Sequence, residues 1–545
     1  MREVPVLISG GGSVGLSLAA ELGWRGIDCM AVEQEGSLNP HPRANAVANR
    51  TMEYYRRWGI DQAITNAGIP PDHPADYYWV SSLHGRKIYG ISLPPFQKIR
   101  EIKNPGGYAK DEHMWSPYLK TITGQNEVEN IILDFVQQLH CVDFHFQSEL
   151  EDFRQDANGV TCWVKQTTTG RKEKIRARYL LACDGGRSMV REKLNIKLRG
   201  HADMAQFISI YFKAPDFMSS HEFGNANIYF PLHRKYAGYI LNWDGGTTFT
   251  YHVMLSEGQN WQDVDPVQAI ESVLGKSLEI QLLSTQPWAA HALTADKYGE
   301  GRAFLVGDAA HLFTPTGGFG MNTGVSDAMD IAWKIQAMLQ GWGGPSLLDS
   351  YSVERRPIGL PNTMEAADCF NRLNEVMSHG DELDMDNLEG EELRKTLAIS
   401  LKEQEKLISS SGTLLGYRYN NSPIIIEDGS SEPIDDPRAY IPTARPGHRA
   451  PHIWVEEGIS ILDLMGPDFT LLCFNNINTR VSSFQASANK IGFPVKVLPI
   501  KDSDAAALYE CNFALVRPDL MVAWRGNEIP RYPEEVINIV RGLAY

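Results

Sequence analysis

The run "VPVLISGGGSVGLSLAAELGWRGIDCMAVEQ" places glycines at Gly10, Gly12 and Gly15 and an acid at Glu33. That spacing, G-x-G-x-x-G with an acid about 20 residues on, suits recognition of a dinucleotide. The first glycine lets the chain turn sharply. The second leaves room for a pyrophosphate against the backbone, and the third lets a helix pack closely on the sheet. The phosphates would rest on the free amides at the helix start, and Glu33 would accept from a ribose hydroxyl. The motif alone does not distinguish FAD from a nicotinamide dinucleotide. Two further acids sit in Gly-rich turns: Asp184 in "YLLACDGGRSMVREKL", and Asp308 in "GRAFLVGDAAHLFTPTGGFGMNTGVSDAMDIAWKI". Asp308 is a short acceptor suited to a ribityl hydroxyl. Gly317, Gly318 and Gly320 would let the backbone press on a flat ring, with amides near Met321 and Asn322 to stabilise negative charge on it.

These residues need particular elements to hold them. Val4 to Ile8 reads as a buried strand, Leu16 to Trp24 as a helix and Asp28 to Val32 as a second strand, so the glycines fall in the turn between strand and helix. A secretory leader is not expected, because interior glycines cost a helix about 1 kcal/mol each. Strand and helix patterns alternate to about Leu198, interrupted by an insertion around Pro70 to Tyr118. From Phe207 to Trp288 short aromatic and β-branched runs ("FISIYF", "ANIYF", "YAGYILNW", "TFTYHVML") predict an antiparallel sheet, a natural wall for a substrate pocket. Helical sequence continues through Lys406. Asn420 to Gly447 is dense in proline, glycine and acids and reads as a linker. "FTLLCF", "VKVLPI" and "CNFALVRPD" then predict a small α/β domain.

With 545 residues, several domains are expected. A formal charge of −16 argues against nucleic acid and anionic membrane surfaces as partners. No apolar run reaches the ~18 residues of a membrane span. The seven cysteines form no C-x-x-C pair, so no zinc or other metal site and no dithiol centre is expected. Scattered cysteines of this kind fit a reducing, cytoplasmic setting.

Taken together, the glycine turn, "CDGG" and "GDAAH…GGFGMN" resemble the single-component FAD-dependent aromatic hydroxylases, the group A flavoprotein monooxygenases of the para-hydroxybenzoate and phenol hydroxylase type. The resemblance extends to about Pro357, where "YSVERRP" also matches. "RPGHRAPHIWV" and "ALVRPDLMVAWRG" resemble the thioredoxin-like tail of the longer subgroup. One departure is Thr314 before a single Pro315, where family members often carry two prolines.

The resemblance implies an α/β chain with a Rossmann-like FAD-binding domain, an inserted antiparallel substrate sheet and a thioredoxin-like C-terminal domain. The FAD-binding domain would comprise residues 1–75, 119–200 and 291–419, the last part including a helical segment. Residues 76–118 would be an insertion at the substrate side, 201–290 the sheet, 420–447 the linker and 448–545 the C-terminal domain. FAD contacts are expected from Gly10, Gly12, Ser13, Val14, Gly15, Glu33, Gln34, Arg43, Gln125, Asp184, Asp308, Pro315, Gly318, Gly320, Met321 and Asn322. Arg50 offers a second arginine near Arg43. Arg191 is expected to meet a phosphate of the nicotinamide, which lacks a G-x-G-x-x-G domain of its own, and His311 reads as a packed residue and not as a base.

The implied reaction uses NADPH or NADH and O2. Reduced FAD adds oxygen at C4a, and the hydroperoxide hydroxylates a small phenolic or related aromatic ring. A phenol of pKa near 10 calls for a base or a stabilised phenolate. Tyr229, His233, Tyr239, Asn242 and Tyr251 are the candidates on the sheet, and the sequence does not choose among them. Two alternatives stay open: a Baeyer–Villiger monooxygenase on the same scaffold, and a non-enzymatic flavin-binding assembly protein. Since the tail lacks a dithiol, structure or homodimer formation is its expected use.

Overall fold

In the computed structural model, the strand Arg2–Ser9 lies at the centre of a sheet. The structure describes residues 1–93, 95, 112–377, 379–402, 410–474 and 479–543. On one side of Arg2–Ser9, Cys29–Val32 and then Val142–His145 run parallel to it; on the other, Lys172–Ala182 and then Ala303–Leu305 do so. Val6, Leu7 and Ile8 are fully buried, as a parallel strand covered on both faces requires. The helix Ser13–Trp24 covers the sheet, packed against the helices Gln125–Gln137 and Phe319–Gln340. The Rossmann-like unit expected from the sequence is therefore present.

The turn into the first helix is sterically fixed. Gly10 has φ +105°, and a Cβ there would lie 2.2 Å from the Cys183 carbonyl oxygen. A Cβ on Gly15 would lie 2.0 Å from the Gly10 oxygen. A side chain at Gly10 would push the turn away from the Cys183–Asp184 backbone, and one at Gly15 would push the helix off the turn.

The second sheet has eight strands, in the order His311–Leu312, Gln281–Ala295, Leu198–Lys213, Thr248–Met254, Gly238–Asn242, Ile228–Pro231, Tyr77–Val80 and Lys87–Ile91. Two of these come from the 76–118 insertion, and Tyr77–Val80 pairs parallel with Ile228–Pro231 in an otherwise antiparallel sheet. The middle of that insertion, 96–111, lies outside the described residues, as do 403–409, where helical sequence was expected to run on to Lys406. One face of this sheet packs on a core containing Phe212, Phe217, Tyr229 and Tyr251. The other faces the long helix Asp349–Met377.

The C-terminal sheet runs Val495–Pro499, Phe469–Cys473, Phe513–Val516, Val522–Gly526, with the first pair parallel and the rest antiparallel. Helices Thr479–Ile491, Ser503–Tyr509 and Pro533–Val540 complete the thioredoxin-like order. Residues 420–447 form neither helix nor strand, yet they pack closely: Ile424 and Ala444 are fully buried, and the Ile426 amide donates to the Ala523 carbonyl.

Candidate active site

The two larger sheets meet at a cavity of about 480 Å³. One wall is the inner face of the eight-stranded sheet. Tyr77, Trp79, Phe207, Ser209, Phe230, Tyr239, His252, Gln286 and Trp288 all line it, because alternate residues of each strand share a face. Phe370, Leu373 and Met377 of the helix Asp349–Met377 stand opposite. The floor comprises Asp308 and residues of the loop Phe313–Met321, and Arg43 and Gln125 also line the cavity.

Among the FAD-contact residues expected from the sequence, Arg43, Gln125, Asp308, Pro315, Gly318, Gly320 and Met321 line this cavity. Asp308 is exposed to it, and its carboxylate has no hydrogen-bond partner among the described residues. Burial raises its pKa, and His311 and Arg43 oppose the rise. Arg43 is likewise exposed and has no ion pair among the described residues. A Cβ built on Gly12 would meet only the Glu129 Oε1, at 3.9 Å, so space is open in front of the helix start. These features fit FAD: an unpaired acid for ribityl hydroxyls, an unpaired guanidinium for phosphate, and an unobstructed glycine backbone at a helix N-terminus.

The remaining turn residues are tied to one another. Glu33 Oε2 accepts from the Gly11 amide at 2.6 Å. The Ser13 amide donates to Glu129 Oε1 at 3.0 Å, and Gln125 Nε2 donates to the same oxygen at 2.7 Å. Sequence reading missed Glu129, although it lies one helical turn after Gln125. The Val14 side chain packs on Gly307 and Gly324, whereas Gln34 is exposed. Asp184 Oδ2 accepts from the Val190 amide at 3.3 Å, and its Oδ1 is buried without a partner among the described residues.

Asn322 is a fastener. Its Oδ1 accepts from the Ala48 amide and Thr51 Oγ1, and its Nδ2 donates to the Ala46 and Gly318 carbonyls. The side chain thus clamps the floor loop to residues 46–51. With its side chain engaged in this way, what Asn322 has to offer a ring is its backbone amide at the start of the helix Phe319–Gln340. His311 is fully buried, with Nε2 on Asp327 Oδ2 at 2.6 Å. Asp327 also accepts from the Gly307 amide at 3.2 Å and from Arg355 at 2.6 Å, which holds the Asp308 turn from behind.

One expectation does not match the geometry. The Arg191 guanidinium points inward, donating to the Ala309 carbonyl at 3.1 Å and to the Gly186 carbonyl at 2.8 Å. It joins the turns that carry Asp184 and Asp308, which leaves it badly placed for a nicotinamide phosphate. Arg50 is also buried and donates to the Asp519 carbonyl at 3.2 Å, so it serves the C-terminal domain.

Of the five candidates for acting on a phenol, only Tyr239 reaches the cavity. Tyr229 and Tyr251 lie on the far face, their hydroxyls donating to the carbonyls of Gly224 and Tyr236, and burial raises both pKa values. The Asn242 amide group bonds His73 at 3.2 Å and accepts from the Gly245 amide at 2.9 Å. His233 accepts from the Lys235 amide at 3.3 Å in a turn outside the cavity. His41, Ser209 and His252, which do line it, were not singled out from the sequence.

Comparison with known proteins agrees with this geometry. The family described as FAD binding domain matches residues 3–366, and that described as aromatic-ring hydroxylase, C-terminal, matches residues 443–539. The tetracenomycin A2 monooxygenase-dioxygenase of Streptomyces glaucescens is 31% identical, over 97% of this chain and 94% of its own. The rebeccamycin biosynthetic enzyme RebC with reduced flavin superposes with a TM-score of 0.88 at 32% identity, covering 100% of this chain and 99% of that one. The flavin-dependent monooxygenase PieE, in complex with FAD and substrate, gives 0.89 at 28% identity, covering 99% of each chain. Among the described residues no helix is long and apolar enough to cross a membrane. This chain belongs to the FAD-dependent monooxygenases of the aromatic-ring hydroxylase family.

Proposed function

We propose that the protein hydroxylates a fused-ring aromatic compound bearing phenolic or carbonyl oxygens, using FAD, a nicotinamide reductant and O2. The observation that carries this reading is the shape and chemistry of the wall facing the Asp308 floor. Phe207 and Trp288 are stacked with centroids 4.3 Å apart, as are Trp79 and Phe230 at 4.6 Å. Together they make a broad aromatic wall against which a flat ring system can pack. Between them run the polar side chains of Tyr239, His252 and Ser209. The relatives include an aklavinone 12-hydroxylase of Streptomyces peucetius beside the tetracenomycin A2 monooxygenase-dioxygenase.

Reduced flavin, when bound, activates O2 for insertion into an electron-rich ring. The chain's own residues have three tasks. Asp308, Arg43 and the 313–321 loop hold and orient the flavin. The aromatic wall and Phe370 fix the substrate ring flat and exclude water, so that oxygen goes to the ring and is not lost to solvent. The Tyr239 hydroxyl, which has no partner among the described residues, is positioned to hydrogen-bond a phenolic oxygen.

The test begins with the visible spectrum of the purified protein, expected to show one releasable FAD per chain. NAD(P)H consumption is then measured against naphthols, hydroxyanthraquinones, single-ring phenols and cyclic ketones. Stimulation by the fused-ring phenols with product one oxygen heavier is the expected outcome. Stimulation by ketones alone, with lactone products, would overturn it.

A further inference from the structure

Across the inner face of the eight-stranded sheet, one rung carries four polar side chains: Tyr239, His252, Ser209 and Gln286, paired in register on neighbouring strands. Two of them are already engaged. Ser209 Oγ bonds a ring nitrogen of His41 at 2.7 Å, and Gln286 bonds Asn39 at 3.3 Å. Tyr239 has no such bond among the described residues, and His252, beside it, uses only one of its two ring nitrogens.

The hydrogen position on His252 follows from its hydrogen bond with Trp288. The indole nitrogen of Trp288 can only donate, and it lies 3.1 Å from His252 Nδ1. Nδ1 is therefore the bare, accepting nitrogen, and the ring hydrogen of the neutral imidazole must sit on Nε2. Burial, with the nearby His41 adding to it, pushes the His252 pKa down to about 3, so the ring stays neutral in ordinary buffers. The Nε2–H donor is buried and has no acceptor among the described residues. The residue is only 4% exposed, lines the cavity and is held flat against the Tyr239 ring, centroids 4.5 Å apart.

A donor buried without an acceptor is costly unless something supplies one. We infer that His252 is a substrate-binding residue whose Nε2–H donates to an oxygen on the aromatic ring system, either a phenolate or a ring carbonyl, with Trp288 fixing the tautomer that makes this possible. The inference rests on the reading of the cavity as an aromatic-ring site. It assigns to a neutral histidine the task of choosing which ring edge enters first, because an edge without an acceptor oxygen would leave the donor unsatisfied.

The experiment uses the FAD-loaded, oxidised protein and follows the flavin absorbance during titration with 1-naphthol, 1,4-naphthoquinone and naphthalene. Wild type should bind at least one oxygenated probe roughly three- to tenfold more tightly than naphthalene, the worth of one net hydrogen bond. A preference confined to 1-naphthol that grows as its hydroxyl ionises identifies phenolate as the acceptor. One shared with 1,4-naphthoquinone identifies any ring oxygen. In His252→Phe, which keeps a ring against Tyr239 but offers no N–H, the preference should shrink to what the Tyr239 hydroxyl alone supplies. His252→Gln, whose amide reaches about as far as Nε2, should restore part of it, and His252→Asn, whose amide reaches only as far as Nδ1, should not. The Gln and Asn pair decides the matter if the Phe variant fails to fold. An undiminished preference in His252→Phe or His252→Asn overturns the inference, as does a wild type that binds naphthalene equally well. A wild type whose flavin bands respond to none of the probes overturns the aromatic-site reading as well.

Discussion

Asp308 shows how a cofactor residue differs from a structural one. A carboxylate that served the fold would be paired, as Asp327 is with His311 and Arg355. Asp308 faces the cavity with no partner among the described residues, and burial raises its pKa. Its stabilising interactions must come from the ligand. Asp308→Ala should therefore weaken FAD binding roughly ten- to hundredfold, since a charge-assisted hydrogen bond is worth about 1.5–3 kcal/mol. The FAD-free protein should unfold at an unchanged or slightly higher denaturant concentration, because no native partner is lost. Titration of the FAD-free protein with FAD, beside urea unfolding, checks both halves. Arg191 carries the converse lesson. Its type and spacing suited a phosphate, but Ser188 caps the short helix and the guanidinium turns back onto two carbonyls. That direction depends on packing between turns more than a hundred residues apart and is not written in the local sequence.

At the scale of elements, the strands of the second sheet were legible and their faces were not. Alternation in a strand reveals a face only when one side is wet. Here both sides are covered, one by the core around Phe217 and Tyr229 and the other by the helix Asp349–Met377 across the cavity. In "TFTYHVML" the residues Phe249, Tyr251 and Val253 fall on the core face, and His252 on the cavity face. Choosing Tyr251 over His252 is an error of a single residue, and it exchanges an inner hydroxyl for a cavity donor. By contrast, the glycine turn, the parallel strands and the Asp308 loop were readable because their backbones tolerate few residue types. The two faces predict opposite outcomes for one chemical change. Tyr251→Phe should cost about 1 kcal/mol of unfolding stability by removing a buried hydrogen bond, and should leave the affinity for an aromatic ligand unaltered. Tyr239→Phe should leave stability within about 0.5 kcal/mol and weaken 1-naphthol binding. Urea unfolding and the flavin-absorbance titration together separate the faces.

At the scale of the whole molecule, the thioredoxin-like domain is joined to the flavin domain through buried charge. Arg517, fully buried, meets Glu354 at 2.6 Å, Asp330 at 2.8 Å and Asp519 at 2.5 Å, and Lys334 meets Asp330 and Glu354 from the other side. Arg449 pairs with Glu53, and Arg56 with Asp463, across the same boundary. The sequence showed a separable domain after a Pro- and Gly-rich stretch, but no local pattern announces pairs such as Glu53 with Arg449, nearly four hundred residues apart. Removing Arg517 would strand three carboxylates with one lysine, so Arg517→Met should destabilise the protein by about 3–5 kcal/mol. The pH dependence sharpens this. Burial alone would raise the Glu354 pKa, but Arg517 and Lys334 bring it down to about 2; Arg517 holds Asp519 below its usual value as well, whereas burial keeps Asp330 above its own. A carboxylate depressed in the folded state contributes stability that is complete above its unfolded pKa of about 4.5 and is lost as pH falls toward 2. In Arg517→Met that depression is relieved and the stranded acid can take up a proton within the fold. The stability gap between wild type and variant should therefore be widest near neutral pH and narrow steadily below about 4.5. Urea unfolding at a series of pH values reads the gap directly, and a gap constant from pH 7 to 3.5 would show that Arg517 acts by packing and not by charge.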